Sequence, residues 1–200
     1  RMRFSFDRFD FTEPGADTAR PAVIDAAGTL DWQQLAQAVA QWEQQALARG
    51  ARRDEPLLIT GHKETAFLVA ILGCLRLGVP FVPVDVINPP ERMARIATLV
   101  QAGLHYDAQA RSFLDTGIAA QPLQEKSLAY IMFTSGSTGD PKGVQIGRES
   151  LGLFAGWIRD CLALGEAPVF MDQMLFSFDF SLFNWMGALV TGGALSLIHI

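Results

Sequence analysis

The chain is short of charge, and the charges it has are not clustered. Asp, Glu, Lys and Arg make up 18% of 200 residues, the net charge is −5, and no block of Lys and Arg occurs. A nucleic-acid surface needs a basic stripe, so that class of partner is excluded. Cysteine is scarce. Cys74 and Cys161 form no CxxC pair, which excludes a disulfide framework and fits a reducing cytoplasm. Both sit in apolar helical patterns and are expected to be buried. The three histidines, His62, His105 and His199, show neither metal-ligand spacing nor a triad with serine, and receive no role. The first twenty residues lack the apolar core of a secretory signal. There is no repeat of about 20 to 50 residues and no low-complexity tract. Phe180 to Ile200 carries no formal charge over a length able to cross a bilayer. Asn184 and Gly192-Gly193 interrupt it, so a buried helix, a glycine turn and a buried strand are expected rather than a membrane span.

What is present is apolar periodicity. Half the residues are hydrophobic, enough for a sizeable core. Phe4, Phe6, Phe9 and Phe11 are expected to anchor an irregular start on the domain edge. Ala22–Asp25 reads as a strand. Asp31 can cap a helix, with Gln34 as its capping-box partner. Trp32, Leu35, Val39, Trp42 and Ala46 then repeat at helical spacing, opposite a solvated face of glutamines, and Gly50 stops the helix. Glu55–Thr60 reads as a strand and Glu64–Leu77 as a helix buried on most sides. Val79–Val84 carries two prolines, so that strand is expected to be short or at an edge. Pro89-Pro90 opens a helix with Met93, Ile96, Leu99 and Val100 inward, closed by Gly103. Leu104–Tyr106 is a short strand, and 107–126 a polar surface connection. Further on come a strand at Val144–Ile146, a helix with Leu151, Phe154, Ile158 and Cys161 inward, and a strand at Pro168–Met171. A helix then carries Leu182, Trp185, Met186 and Leu189 inward, and a strand follows at Ala194–Ile198. Regular alternation of strand and helix predicts the α/β class, a mainly parallel sheet with helices on its faces. A final strand with nothing after it suggests a fragment.

Chemistry concentrates at Tyr130 to Val144, YIMFTSGSTGDPKGV. An apolar run ends abruptly in hydroxyls (Thr134, Ser135, Ser137, Thr138), glycines (Gly136, Gly139, Gly143) and one lysine, Lys142. Glycines let successive N–H groups point into one concavity, and hydroxyls and an ammonium add donors. That chemistry suits a polyphosphate. By composition alone the segment is also an ordinary loop between strands. It is not a Walker P-loop, because Pro141 stands where that pattern needs glycine.

The order T-S-G-S-T-G-x-P-K-G resembles the phosphate loop of the adenylate-forming (AMP-binding) ligases. Three further stretches resemble that family in order: Gly28 to Leu35, Cys74 to Pro90 (CLRLGVPFVPVDVINPP) and Phe178 to Ser181 (F-D-F-S). The run DQMLFSFD from Asp172 is most similar to the D-alanine–carrier protein ligases, with amino-acid adenylation domains as near relatives. Met174-Leu175 replaces the family's Ala-Pro. The resemblance implies an α/β fold of layered, mainly parallel sheets with flanking helices, residues 1–200 being the N-terminal part of the large AMP-binding domain, without its remainder or the small C-terminal domain. It implies ATP-dependent activation of a small, D-alanine-like amino acid as an aminoacyl-adenylate, then transfer to the phosphopantetheine thiol of a carrier protein. It implies phosphate binding by Thr134, Ser135, Gly136, Ser137, Thr138, Gly139, Lys142 and Gly143, with Mg²⁺ nearby, Thr138 being its candidate hydroxyl ligand. It implies substrate binding by Asp179, holding the α-ammonium, with Phe180 and Phe183 near the side-chain pocket. Asp179 can equally be a helix N-cap, and the phenylalanines plain core. No catalytic residue is assigned within the fragment, which is expected to be inactive alone. Alternatives are a peptide-synthetase adenylation domain, an acyl- or aryl-CoA ligase, and a non-catalytic nucleotide-binding domain.

Overall fold

The computed structural model describes residues 18–134 and 140–198. The four N-terminal phenylalanines and His199 lie outside them. Ten strands and five helices are ordered as β1 (Pro21–Asp25), β2 (Gly28–Asp31), α1 (Trp32–Ala48), β3 (Leu57–Gly61), α2 (Thr65–Leu77), β4 (Phe81–Asp85), α3 (Pro90–Val100), β5 (Leu104–Asp107), β6 (Ser112–Asp115), β7 (Leu128–Thr134), β8 (Lys142–Gly147), α4 (Arg148–Cys161), β9 (Val169–Asp172), α5 (Ser181–Thr191) and β10 (Ala194–Leu197).

The strands form two sheets, a six-stranded one in the order β6-β5-β3-β4-β7-β8 and a four-stranded one in the order β2-β1-β10-β9. The pairs β5–β3, β3–β4, β4–β7, β1–β10 and β10–β9 are parallel, and the hairpin pairs β1–β2, β5–β6 and β7–β8 antiparallel. This is the α/β architecture that the alternation predicts. Residues on β3 and β4 alternate between two cores. Leu57, Ile59 and Phe81 join the larger, and Leu58, Val82 and Val84 pack with Ile96, Ala97 and Val100 of α3. A strand buried on both faces reads as a continuous apolar run, as LLIT does. Helices α2 and α5 make the layer between the sheets, with Leu68, Leu72, Trp185 and Leu189 meeting Ala22, Val23 and Leu195 around one small void. An interlayer helix has no solvated face, which is why TAFLVAILGCL is apolar all round.

The α1 capping box forms as expected: Gln34 N–H donates to Asp31 Oδ1 at 2.7 Å and Asp31 N–H to Gln34 Oε1 at 2.9 Å. The five-residue apolar stripe is the buried face of that helix. Other expectations are corrected. Strand β4 is short, as one alternative had it, but it is not at an edge: it starts after Pro80, keeps only Pro83 and lies inside the sheet. Pro83 pairs in register with Ile59, while the register with β7 rests on Phe81↔Tyr130, as suits a strand that lacks one donor. Gln101, in the left-handed region at φ 54°, caps α3 ahead of Gly103, and Leu99 is 45% exposed while Ala97 takes the inward position. The 107–126 connection contains the edge strand β6, whose Phe113 packs on Trp42 and Tyr106. Cys74 is buried but Cys161 is exposed, because Ala155 and Ile158 complete the inner face of α4 before its last turn. Among the described residues no helix is long and apolar enough to cross a membrane.

Candidate functional site

Parallel β3, β4, β5 and β7 end along one edge of the large sheet. Gly61 is in register with Asp85 and Thr60 with Asp107, and Thr134 closes β7. In open α/β sheets ligands bind outside this carboxyl edge. The hairpin of β7 and β8 projects from it, with Thr134 opposite Lys142 as its last register pair. Both side chains are exposed. Arg92 of α3 donates from Nη2 to the Thr134 carbonyl at 3.4 Å, and Arg95 lies 3.7 Å from Asp140. Basic groups therefore flank both stems of the hairpin. Ser135, Gly136, Ser137, Thr138 and Gly139 lie outside the described residues. Gly143 sits in the ladder opposite Phe133, where a Cβ would come within 2.9 Å of Ile131 Cγ2. Its lack of a side chain is thus also required by packing.

The connection from β9 to α5 brings the second group of expected residues to the site. Asp179 is exposed. It does not cap α5 with its side chain: the N-cap is Phe180, without a side-chain hydrogen bond, and only the Asp179 carbonyl engages, accepting from Leu182 N–H at 3.0 Å. Asp179 lies within electrostatic reach of β7, since Tyr130 is pushed up to about 12, first by burial and then by the Asp179 carboxylate. Phe180 is 59% exposed and so is not core. Phe183 is half-buried against the larger core, with its ring 6.4 Å from Phe180 and 6.1 Å from Phe170.

A cluster that the motifs do not contain underlies this connection. Lys63, in the turn after β3, is 1% exposed. Its Nζ donates to Asp172 Oδ2 and to the Met174 carbonyl, each at 2.6 Å, and lies 4.7 Å from the Phe176 ring centroid. Asp172 Oδ1 accepts from Asn184 Nδ2 at 2.9 Å. Burial pushes the Lys63 ammonium below its ordinary pKa, opposed by the hydrogen bond and charge of Asp172 and by Asp85. Beside it, His62 Nδ1 pairs with Asp85 Oδ2 at 2.8 Å. Sequence reasoning missed this pair: Lys63 follows the buried strand β3 by two residues, but Asp172 ends β9, whose Val169 and Met171 are exposed, so neither position signals a buried charge. Among the described residues no group of three His, Cys, Asp or Glu could hold a metal ion, and Thr138 is outside them.

A family model described as AMP-binding enzyme matches residues 13–111 and 101–199. The D-alanine–D-alanyl carrier protein ligase of Bacillus velezensis is 35% identical over 184 residues, which cover 82% of this chain and 36% of that protein. The chain therefore spans about a third of the length of this relative. Two solved structures share the fold. VinN, in complex with 3-methylaspartate, aligns with a TM-score of 0.76 at 22% identity over 91% of this chain and 58% of that one. ATP-bound MatB from Rhodopseudomonas palustris aligns with a TM-score of 0.76 at 16% identity over 91% and 42%. With matched segments running almost end to end, the chain belongs to the AMP-binding enzyme family.

Proposed function

We propose that the chain is the N-terminal part of the large AMP-binding domain of a cytoplasmic ligase that activates a small amino acid with ATP and passes it to a carrier protein. In the first step a carboxylate oxygen of the amino acid attacks the α-phosphorus of ATP. The α–β anhydride bond breaks, and pyrophosphate leaves with the electron pair. Negative charge grows on the departing group, which the ammonium of Lys142 and the hydroxyls and amides of the 134–139 segment would stabilise. ATP would arrive with Mg²⁺ as its counter-ion. In the second step the phosphopantetheine sulfur of the carrier protein attacks the acyl carbon. AMP leaves, and the thiol proton passes to solvent. Along this route Arg92 and Arg95 hold the hairpin, and Asp179 holds the substrate ammonium.

The observation that carries the amino-acid reading is Asp179: an exposed carboxylate at the end of the β9–α5 connection, engaged in no cap. A ligase for simple carboxylic acids has no use for an anion there. A charge-assisted bond from carboxylate to ammonium is worth about 2 kcal/mol, or about thirty-fold in affinity. The test is Asp179→Ala in the full-length protein. The amino-acid KM should rise about thirty-fold or more, with the ATP KM unchanged. Activity that is indifferent to the substitution would instead indicate an acyl- or aryl-CoA ligase.

A further inference from the structure

The segment Gln173–Phe180 joins β9 to α5 and carries Asp179, and little of its own structure defines its path. Within it, Phe178 N–H returns to the Leu175 carbonyl at 2.9 Å, and Ser181 N–H to the Phe178 carbonyl at 3.0 Å. These are local turns that leave the segment's placement on the sheet open. The placement comes from outside. Lys63 belongs to the six-stranded sheet's carboxyl edge, whereas Asp172 ends β9 of the four-stranded sheet. The Lys63 ammonium bridges them and grips the Met174 carbonyl as well. Phe176, two residues further along the segment, is 1% exposed and is stacked on Phe67 of α2 at 5.1 Å, with the ammonium against its ring. Asp172 answers from the other side. Its Oδ1 takes Asn184 of α5 and, at 3.3 Å, Met174 N–H.

Burying two charges is costly, and an apolar pair of similar volume is often as stabilising. What an apolar pair cannot do is send several directed donors from one atom to a carboxylate and a carbonyl in different elements. An ammonium can, and here it does so where Lys63, Asp172 and the segment meet. Resting on the amino-acid reading above, we propose that Lys63 is a positioning residue for substrate selection: through Asp172 and Met174 it fixes the connection that presents Asp179 to the amino-acid ammonium.

The test uses the full-length protein and two stable adenylate mimics, alanyl-sulfamoyl-adenosine (both enantiomers) and propionyl-sulfamoyl-adenosine, which differ by the ammonium alone. Wild type should bind one alanyl mimic about ten-fold or more tightly than the propionyl mimic. Lys63→Met leaves the Asp172 charge buried without its partner and should lower the melting temperature. The neutral double variant Lys63→Met/Asp172→Asn should recover most of that loss, yet its alanyl-over-propionyl preference should fall to within about three-fold, with propionyl affinity unchanged. Lys63→Gln/Asp172→Asn is a second neutral variant for the same comparison. A folded double variant that retains the full preference overturns the inference, because the pair then only supports the fold. A wild type that binds the two mimics equally, or binds neither, overturns the amino-acid reading itself and the inference with it.

Discussion

His105 shows how a single half-buried side chain makes the stability of this fold depend on pH. On β5 its Nε2 lies 2.6 Å from Thr60 Oγ1 of β3. Burial lowers its pKa below the ordinary 6.5, with the Asp107 charge opposing. Folding therefore favours the neutral ring. Between pH 6.5 and the depressed folded value the unfolded chain binds the extra proton, so stability falls as pH drops through that window and is fully present above it. Melting temperatures of wild type and His105→Gln, measured between pH 7.5 and 5, should converge or cross as pH falls. A constant gap would show that the ring titrates normally. None of this was visible beforehand. A histidine in a short polar-looking strand gives no sign of burial until the sheet order places β5 against β3. Asp31 and Gln34 were legible for the opposite reason, because a capping box is local and its geometry follows from three residues of spacing. Asp179 stood in between. Its motif marked the residue, but two local roles competed for it, and the start of α5 at Ser181 removed one of them.

At the scale of elements, periodicity found most helices and strands and failed where the inward arc was narrow. In α3 the pattern allowed Leu99 or Ala97 on the inner face, and hydrophobicity favours the leucine. The helix instead turns Ile96, Ala97 and Val100 toward Leu58, Val82 and Val84. Ile96→Ala in the full-length protein should cost about 2 to 4 kcal/mol by removing buried methyls and leaving a cavity. Leu99→Ser, on the exposed side, should change stability by less than about 0.5 kcal/mol. Urea unfolding of the two variants checks the assignment, and equal losses would place Leu99 in the core after all. The edge strand β6 escaped notice because four residues in a polar stretch carry too little alternation to read. It is defined by pairing Phe113 with Tyr106 across the ladder. The Tyr130–Val144 stretch carried the clearest motif in the sequence, since its order of hydroxyls, glycines and lysine follows no packing period. Even there, Gly143 turned out to serve the ladder too.

For the whole molecule, strand–helix alternation was enough to predict α/β architecture. The division into two sheets was not legible, because it depends on the parallel pairing of β1 with β10, elements at opposite ends of the described chain. That pairing encloses α2 and α5 between the sheets and brings the β9–α5 connection over the carboxyl edge from which the hairpin projects. The account's central claim is that this edge joins a polyphosphate-binding hairpin to an ammonium-binding carboxylate. The measurement that tests it most directly is amino-acid-dependent exchange of radiolabelled pyrophosphate into ATP by the full-length protein, across a panel of small D- and L-amino acids and their des-amino acids. Exchange is expected with at least one small amino acid and none with its des-amino counterpart, and Lys142→Ala should lower it about 100-fold or more, the usual scale for removing one charge-stabilising donor. Exchange supported by des-amino acids alone, or by no acid at all, would contradict it.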